Sequence, residues 1–269
     1  MSWITARRRH PAAGYAILLL GLLLVAAVYA SVVGGGTAAS AAPPTAPDQT
    51  QINSGRTVFL QSCATCHGFA AQGQTGIAPS LIGVGAAAVD FQVSTGRMPM
   101  QQQEAQARRK PPRYTADETA ALAAYIASLA PGPAVPAAGQ YAPTDADMAL
   151  GGNLFRTNCS SCHNFTGEGG ALAYGKDAPS LHKATDQQIY EAMLTGPGTM
   201  PVFGDKQLTP DQKRDIIAYV QGVKNTPDPG GVNLGRAGAV AEGLVAWLGG
   251  IAVLAGFAMW IGARAKRAA

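Results

Sequence analysis

The chain has 269 residues, enough for two small domains of about 100 residues each. Only 13% of the residues are charged, against about 25% in a typical soluble domain, and two long apolar runs account for part of that deficit. The formal net charge is +4, and no nucleic-acid partner is expected.

An apolar run covers residues 16–33 and follows three consecutive arginines near the N-terminus. Its length approaches the ~20 residues that a transmembrane helix needs. A cleaved signal peptide is the alternative, because small residues near the end of the run offer cleavage sites, but the run exceeds the usual apolar length of about 7–15 residues. We therefore expect a retained cytoplasmic segment and transmembrane helix over 1–33, and a linker over 34–50.

Two short strings use all four cysteines of the chain: Cys63-Ala-Thr-Cys66-His67 within residues 51–130, and Cys159-Ser-Ser-Cys162-His163 within residues 148–224. Two thiols three positions apart, with a histidine directly after them, form the arrangement that attaches c-type haem. The thiols bond to the porphyrin and the imidazole binds the iron. We therefore predict two covalently attached haem c groups. The thiol positions are Cys63, Cys66, Cys159 and Cys162, and the imidazole ligands are His67 and His163.

Other uses of paired cysteines fit less well. The two pairs lie 96 positions apart, whereas a zinc ribbon brings its pairs together over about 15–20 residues. A thioredoxin-like dithiol needs a βαβ context that the flanking sequence lacks. Structural disulfides occur in exported chains, but the neighbours in such a pair rarely serve as staples, and none of these alternatives explains the matched histidines.

The two regions also resemble each other outside the haem motifs. A glycine and a phenylalanine precede the first cysteine at the same spacing in both. An Ala-Pro-Ser-Leu string, a Thr-Gly step with a later Met-Pro step, and an Ala-Tyr pair then follow in the same order. The chain therefore contains a duplicated unit. The matched positions are Gly55 and Gly151, Phe59 and Phe155, Leu81 and Leu181, Met98 and Met200, and Tyr125 and Tyr219.

Each unit closes with a predicted helix. Thr115 with Glu118, and Thr209 with Gln212, form the capping-box pattern that begins a helix, and apolar residues then recur at helical spacing. Neither unit shows strand-like alternation of any length. The predicted fold class is therefore all-α, with two tandem class I-like cytochrome c domains between two transmembrane helices.

Methionine is the natural second axial ligand, because a thioether sulfur raises the potential of a haem iron. In the second unit Met200 is the candidate, since Met193 sits in a helix-like stretch and is assigned to the core. In the first unit the matched Met-Pro step favours Met98, with Met100 as the rival.

Other residues of the repeat are expected to support these ligands. Near Pro79 and Pro179 a carbonyl is expected to accept the imidazole Nδ1–H and orient the ring, and Leu81 and Leu181 are expected to pack on the porphyrin. With both axial positions filled by protein, neither iron has room for a substrate, which favours electron relay over catalysis. No catalytic residue is assigned. No ligand role is assigned to the unmatched His10 and His182.

Three further segments connect or extend the units. Residues 131–147 are rich in Pro, Ala and Gly and are predicted to link the two units, and residues 225–238 are predicted as a linker after the second. Residues 101–113 are polar, have no counterpart in the second unit, and are predicted as a surface excursion of domain one.

A second apolar run predicts a transmembrane helix over 239–262 and a cytoplasmic tail over 263–269. Of the 20 Lys and Arg, three precede the first run and three follow the second, which leaves 14 in residues 34–238 beside 15 of the 16 carboxylates. By the positive-inside rule both termini are cytoplasmic, and the haem domains lie on the extracytoplasmic side of the cell membrane. The remaining carboxylate, Glu242, is expected at the membrane interface.

Four strings are far more specific than the haem motif: PSLIGVG at 79–85, FQVSTGRMP at 91–99, CSSCHNFTGEGGA at 159–171 and WIGAR at 260–264. On these strings the chain resembles the di-haem cytochrome c subunit of the actinobacterial bcc-type menaquinol–cytochrome c reductase. The resemblance covers nearly the whole chain except the N-terminal tether.

The resemblance implies a subunit of a proton-translocating oxidoreductase that is itself an electron relay. Its implied partners are a cytochrome b subunit, a Rieske iron–sulfur subunit, the dinuclear copper centre of a terminal cytochrome c oxidase, and membrane lipid. Electrons from menaquinol would pass through the Rieske protein and the two haems to the oxidase. The nearly neutral middle section fits this role, because a tethered relay needs no charged face to steer it towards a partner.

Three other functions stay open at the level of the sequence. The chain could be a di-haem electron-transfer subunit of another membrane enzyme, such as a cbb-type oxidase or a periplasmic dehydrogenase, although those usually carry an N-terminal anchor alone. A di-haem peroxidase would need one five-coordinate iron. A non-catalytic electron-storage or assembly module is the third alternative.

Overall fold

A computed structural model describes residues 13–33, 48–227, 236 and 239–268 of the chain. It separates into two units, 1–46 and 47–269. In the first unit the described residues form one helix, α1 (Ala13–Val33), which confirms helix formation by the first apolar run. The three arginines before it, His10, and the predicted linker up to residue 47 lie outside the described residues.

Domain one, the first repeat, is helical. Helix α2 begins after Asp48, whose carboxylate accepts the Thr50 amide hydrogen, and it leads directly into the haem motif. Its core joins α2 to the closing helix through Phe59, Leu122 and Ile126. The helices are α2 (Gln49–Ser62), α3 (Ala64–His67), α4 (Ala86–Ser94) and α5 (Ala116–Leu129).

Domain two repeats this arrangement with one addition. Its core likewise joins the first and last helices, here through Phe155, Ile216 and Ile217. A short antiparallel pair, β1 (Gly170–Ala171) and β2 (Asp177–Ala178), stands in the loop after the haem motif. The helices are α7 (Met148–Asn158), α8 (Ser160–His163), α9 (Asp186–Thr195) and α10 (Pro210–Asn225), with 3-10 turns at Ala173–Gly175 and Leu181–Lys183.

The expectation of an all-α fold therefore needs a small correction, because the fold is mostly helical but contains this hairpin. The loop from His163 to Pro179 spans 16 positions, against 12 from His67 to Pro79. The shorter loop of domain one forms a single antiparallel bridge between Gln74 and Ala78, whereas the longer loop of domain two forms a two-residue strand pair. Two-residue strands are too short for the alternation of apolar and polar residues that reveals longer strands in a sequence.

The matched glycines lie where the first and last helices of each domain cross. A Cβ at Gly55 would lie 1.9 Å from the Ala121 carbonyl oxygen, and a Cβ at Gly151 would lie 1.9 Å from that of Asp215. No residue with a side chain fits these crossings. Beside each crossing a phenylalanine of the first helix packs on a tyrosine of the last, with ring centroids 5.3 Å apart in domain one and 5.2 Å apart in domain two.

Both predicted capping boxes are confirmed. The Thr115 hydroxyl accepts the Glu118 amide hydrogen while the Glu118 carboxylate accepts that of Thr115, and Thr209 and Gln212 form the same reciprocal pair. These bonds satisfy two amide groups that the first turn of a helix would leave without partners. Each closing helix therefore begins at the residue that the sequence indicates.

The segment between the domains contains one helical turn, α6 (Ala138–Tyr141). The Ala87 amide donates to the Pro133 carbonyl, and the Arg214 guanidinium donates to the Gly139 carbonyl. The segment predicted as a plain linker is therefore attached to both domains.

The second apolar run forms α11 (Ala239–Ala268), which is longer than the predicted 239–262 because the helical backbone continues through the basic tail. Alanine, lysine and arginine are all strong helix formers, which explains the extension. Among the described residues, Glu242–Arg264 is the one helix long and apolar enough to cross a membrane, with a mean hydropathy of 2.1. The described apolar part of α1, Gly14–Val28, is shorter.

Candidate haem sites

The cysteines of domain one lie at a tight helical turn. The Cys63 amide donates to the Phe59 carbonyl at the end of α2, and the His67 amide donates to the Cys63 carbonyl, so the motif continues the helix as one extra turn. Cys63 is half-buried and Cys66 is exposed. The motif therefore presents one thiol at the protein interior and one at the surface.

Domain two repeats this geometry, since the Cys159 amide donates to the Phe155 carbonyl and the His163 amide donates to the Cys159 carbonyl. All four cysteines, which lie within the described range 48–227, are free. Burial, with a smaller contribution from the neighbouring cysteine, raises the pKa of Cys63 to about 11 and that of Cys159 to about 12. Among the described residues no three His, Cys, Asp or Glu side chains are grouped as a metal-ion site requires.

Each histidine of the motifs is held by the carbonyl of the predicted proline. The His67 Nδ1 lies 2.8 Å from the Pro79 oxygen, and the His163 Nδ1 lies 3.0 Å from the Pro179 oxygen. A carbonyl accepts only, so Nδ1 carries the hydrogen and Nε2 is left as the basic nitrogen. Burial also lowers the pKa of His163. The proline carbonyl thus fixes each ring in an orientation that leaves Nε2 available to a metal ion.

The methionine candidates differ in their packing. Met98 packs against the core cluster of domain one that also contains Ala64 of the haem motif. Met100 is half-buried, but among the described residues it is not part of the packing around that cluster. In domain two Met200 packs against the cluster that contains Cys159, while Met193 is buried inside that cluster, as predicted.

Leu81 and Leu181 complete the parallel between the domains. Each is partly buried against the core of its own domain. Their amides donate to Ala71 and Gly167 carbonyls over 2.8 Å, which fixes the loop that carries the proline carbonyl. Each domain therefore brings its haem motif, its Pro-Ser-Leu loop and one methionine to a common core. These residues fit a covalently bound haem c with axial imidazole and thioether ligands.

Comparison with known proteins agrees with this geometry. Residues 52–130 match the family model "Cytochrome c", and residues 146–220 match the model "Cytochrome C oxidase, cbb3-type, subunit III". The chain is 52% identical over 81% of its length to the "Cytochrome bc1 complex cytochrome c subunit" of Corynebacterium efficiens, of which it covers 78%. The protein with the same description from Corynebacterium diphtheriae is 50% identical over 81% of this chain and 82% of its own length. The one from Mycobacterium leprae is 48% identical over 80% of this chain and 76% of its own length.

This chain belongs to the family of cytochrome bc1 complex cytochrome c subunits. It is therefore an electron-transfer subunit of a quinol–cytochrome c oxidoreductase. Both halves of this cytochrome c subunit match cytochrome c domains, so covalent haem c is the cofactor that the fold implies, and the cysteine pairs at 63 and 66 and at 159 and 162 fit it.

The sequence analysis missed one pair of residues that shape the sites of the cytochrome c subunit. Gly73 and Gly169 adopt positive φ angles of 81° and 86°, and a Cβ on either would lie within 2.5 Å of backbone atoms. Their amides donate to the His67 and His163 carbonyls. The signal was present, because each glycine stands six positions after its histidine. The unmatched His182 instead bonds to the Thr166 carbonyl and the Glu168 carboxylate.

Proposed function

We propose that this chain is a membrane-anchored di-haem relay. It carries electrons from the Rieske iron–sulfur subunit of a menaquinol-oxidising bcc complex to the dinuclear copper centre of a terminal cytochrome c oxidase. The observation that carries the proposal is the presence of two complete and matching sets of haem-binding residues on one chain. A single set would suffice for a protein that only receives electrons from a donor.

Each haem would be held by a thioether pair and two axial residues. When bound, haem c supplies an iron that changes between ferrous and ferric states. The protein orients each imidazole through the Pro79 or Pro179 carbonyl, and a thioether sulfur favours the reduced iron. The covalent ligands are Cys63, Cys66, Cys159 and Cys162, and the axial ligands are His67 with Met98 and His163 with Met200.

The same residues favour relay over catalysis. A peroxidase would need an iron with an open position, whereas each domain offers both an imidazole with Nε2 free and a methionine packed against the core around the motif. An iron with two protein ligands leaves no position for a substrate. We expect both haems to be low-spin, with no carbon monoxide bound by the native reduced protein.

The anchoring that we propose uses two transmembrane helices, with both termini in the cytoplasm. Helix α11 has the length and composition for one span. The helical α1 and the arginines that precede it support the other. Three basic residues at each end and a nearly neutral middle section favour haem domains on the extracytoplasmic side.

The relay is tested by removing one haem at a time from the chain in its native membrane. The pair Cys63→Ala with Cys66→Ala removes the first haem, and Cys159→Ala with Cys162→Ala removes the second. Both variants should lose oxygen consumption driven by menaquinol. In one variant the remaining haem should still be reduced by menaquinol, which identifies it as the donor-side haem; in the other it should stay oxidised. Normal oxygen consumption by either variant would contradict the proposal.

A second candidate, a di-haem subunit of another membrane oxidase, is favoured by one observation: residues 146–220 match a cbb3-type oxidase subunit model. Purification through a tag on this chain separates the two functions. The proposed relay should bring down a cytochrome b and a Rieske protein together with a copper-containing oxidase. Purification of an oxidase without a cytochrome b or a Rieske protein would support the second candidate.

A further inference from the structure

Residues 101–113, here called the clamp segment, are fastened beside Met98 in domain one. The Lys110 amide donates to the Thr95 carbonyl at 3.3 Å, and its ammonium group donates to the Pro99 carbonyl at 3.2 Å. Gly96, with a φ of 67°, lies so close to the segment that a Cβ there would be 2.1 Å from the Lys110 carbonyl oxygen. The segment is therefore attached on both sides of the proposed iron ligand.

The same segment binds the hairpin of domain two. The Gln106 side-chain amide donates to the Asp177 carbonyl at 2.8 Å, and its oxygen accepts the Asp177 amide hydrogen at 2.8 Å. One side chain thus satisfies both main-chain groups of a β2 residue, as a neighbouring strand would. The Arg108 guanidinium adds an ion pair to the Asp177 carboxylate at 2.7 Å. The predicted surface excursion is exposed at most positions, but it also joins the two domains.

A second contact lies between equivalent helices of the repeat. Helix α4 packs against α9. The Gln187 amide donates to the Asp90 carboxylate at 3.1 Å, and the Arg109 guanidinium of the clamp segment donates to the Gln188 oxygen at 3.0 Å. In the chain, α4 precedes Met98 and α9 precedes Met200. The clamp segment and the contact between α4 and α9 therefore join the part of domain one that carries Met98 to the helix that precedes Met200 in domain two.

We infer that the clamp segment fixes the two haem domains relative to each other, with Gln106 as the positioning residue. The inference rests on the proposed relay, because an electron passes directly between two haems on one chain only while the two domains hold them close together. Gln106 is half-buried and makes two directed hydrogen bonds to the main chain of Asp177, which remain when the Asp177 side chain is replaced by that of asparagine. The Arg108 side chain is 58% exposed, so its ion pair with Asp177 contributes little.

The variant that tests the inference is Gln106→Glu in the full holo chain. It keeps the shape of the side chain but replaces the donor to the Asp177 carbonyl with a carboxylate oxygen. The matched control is Gln102→Glu, an identical charge change in the same segment at an exposed residue that bonds to Glu104. Asp177→Asn is the second comparison, since it removes the ion pair and leaves both main-chain bonds in place.

Two measurements are made on each variant. Amide hydrogen exchange of residues 170–178 reports the clamp itself and needs no partner protein. Gln106→Glu should exchange about tenfold faster there, since the hydrogen bond donated to the Asp177 carbonyl is lost and a carboxylate oxygen faces that carbonyl instead, while Gln102→Glu and Asp177→Asn should change by less than about twofold. After rapid partial reduction, the rate of electron equilibration between the two haems should fall several-fold in Gln106→Glu and in no other variant. The reduced Gln106→Glu protein should not bind carbon monoxide.

Unchanged exchange in Gln106→Glu would overturn the inference, and so would faster exchange with normal equilibration between the haems. Carbon monoxide binding by this variant would also overturn it, because the segment would then act on the Met98 ligand and not on the placement of the domains. If the proposed relay were wrong, the haem-removal variants would consume oxygen at the normal rate. Failure of the relay can therefore be distinguished from failure of the inference about the clamp segment.

Discussion

In domain one, a surface segment holds the turn that carries the proposed methionine ligand. In domain two, a buried side chain of the same domain holds the equivalent turn. In domain one the clamp segment bonds to residues on both sides of Met98. In domain two the fully buried Lys213 of α10 forms an ion pair at 2.6 Å with Asp205, five positions after Met200. In the register that matches Tyr125 with Tyr219, Lys213 takes the place of Thr119, whose hydroxyl bonds to its own helix at the Thr115 carbonyl.

The two copies in this duplicated protein share some structural features and differ in others. The shared features are the glycine crossing, the haem motif, the proline carbonyl and the methionine, and we propose that they form a haem site in each copy. The features that differ are the clamp segment and the hairpin, which contact each other, and the buried lysine, which acts within domain two. Substitutions in the first group should therefore act alike in both domains, and those in the second should act in one domain.

The largest effect is expected at the helix crossings. Gly55→Ala and Gly151→Ala each place a Cβ within 1.9 Å of a carbonyl oxygen of the opposite helix, so the helices must separate. We expect a loss of at least about 3 kcal/mol, the upper end for overpacking, and the same loss in both domains. Urea unfolding followed by haem absorbance measures it. Gly139→Ala, at a glycine with open space around it, is the control, and equal stability of all three variants would contradict the crossing geometry.

The axial ligands come next. Met98→His and Met200→His should each lower the midpoint potential of one haem by on the order of 0.1–0.3 V, because imidazole lacks the preference of a thioether for ferrous iron. Met100→His should leave both potentials unchanged. Redox titration of the three purified proteins decides between the rivals, since a drop in Met100→His without one in Met98→His would make Met100 the ligand.

The buried ion pair should give an asymmetric result. Asp205→Ala leaves the Lys213 ammonium buried without its carboxylate and should cost about 2 kcal/mol, whereas Lys213→Met leaves only an Asp205 that is 67% exposed and should cost less than about 1 kcal/mol. Thr119→Val in domain one should also cost less than about 1 kcal/mol. Thermal unfolding of the holo protein compares the three, and a larger loss in Lys213→Met than in Asp205→Ala would refute the explanation.

The smallest effect concerns the carboxyl group of Glu191, which is buried in α9 near Asp90 of domain one. Burial, opposed by a hydrogen bond from Gln187 and assisted by Asp90, raises its pKa from 4.5 to about 8. The folded protein then keeps a proton that the unfolded chain releases, so the contribution to stability is full below about pH 4.5 and is lost as the pH rises to about 8.

The variant Glu191→Gln carries no ionisable group and escapes this loss. Its melting temperature should match that of the parent protein near pH 4.5 and exceed it near pH 8. In the register that matches Thr95-Gly96 with Thr195-Gly196, the equivalent position of domain one is Phe91, so a non-ionisable substitution there should produce no such dependence. A constant difference in melting temperature across this range would show that Glu191 does not titrate as described.

Much of each haem site follows from residues that are close together in the chain. Helix capping at Thr115 and Thr209 depends on residues three positions apart, and the haem motif spans five. The repeat itself identified Gly55 and Gly151, because two copies that keep a glycine at the same distance from the motif indicate a common constraint. Gly73 and Gly169 followed the same rule and were overlooked.

Contacts between distant segments could not be predicted in this way. Gln106 and Asp177 are separated by 71 positions, and Asp90 and Gln187 by 97. Their contacts depend on where two loops and two helices come to lie after each domain has folded, and nothing in the local pattern of 101–113 distinguishes a bound segment from a free one.

The sequence by itself determined the helical repeats, the two haem motifs and the residues that we propose as iron ligands, because caps, helical spacing and covalent attachment act over a few positions. Only the tertiary structure decided that residues 101–113 join the two domains, that Lys213 is buried beside Asp205, and that Glu191 faces Asp90. Those arrangements arise from desolvation and directed hydrogen bonds between separately folded parts, which depend on distances in space that the order of residues does not specify.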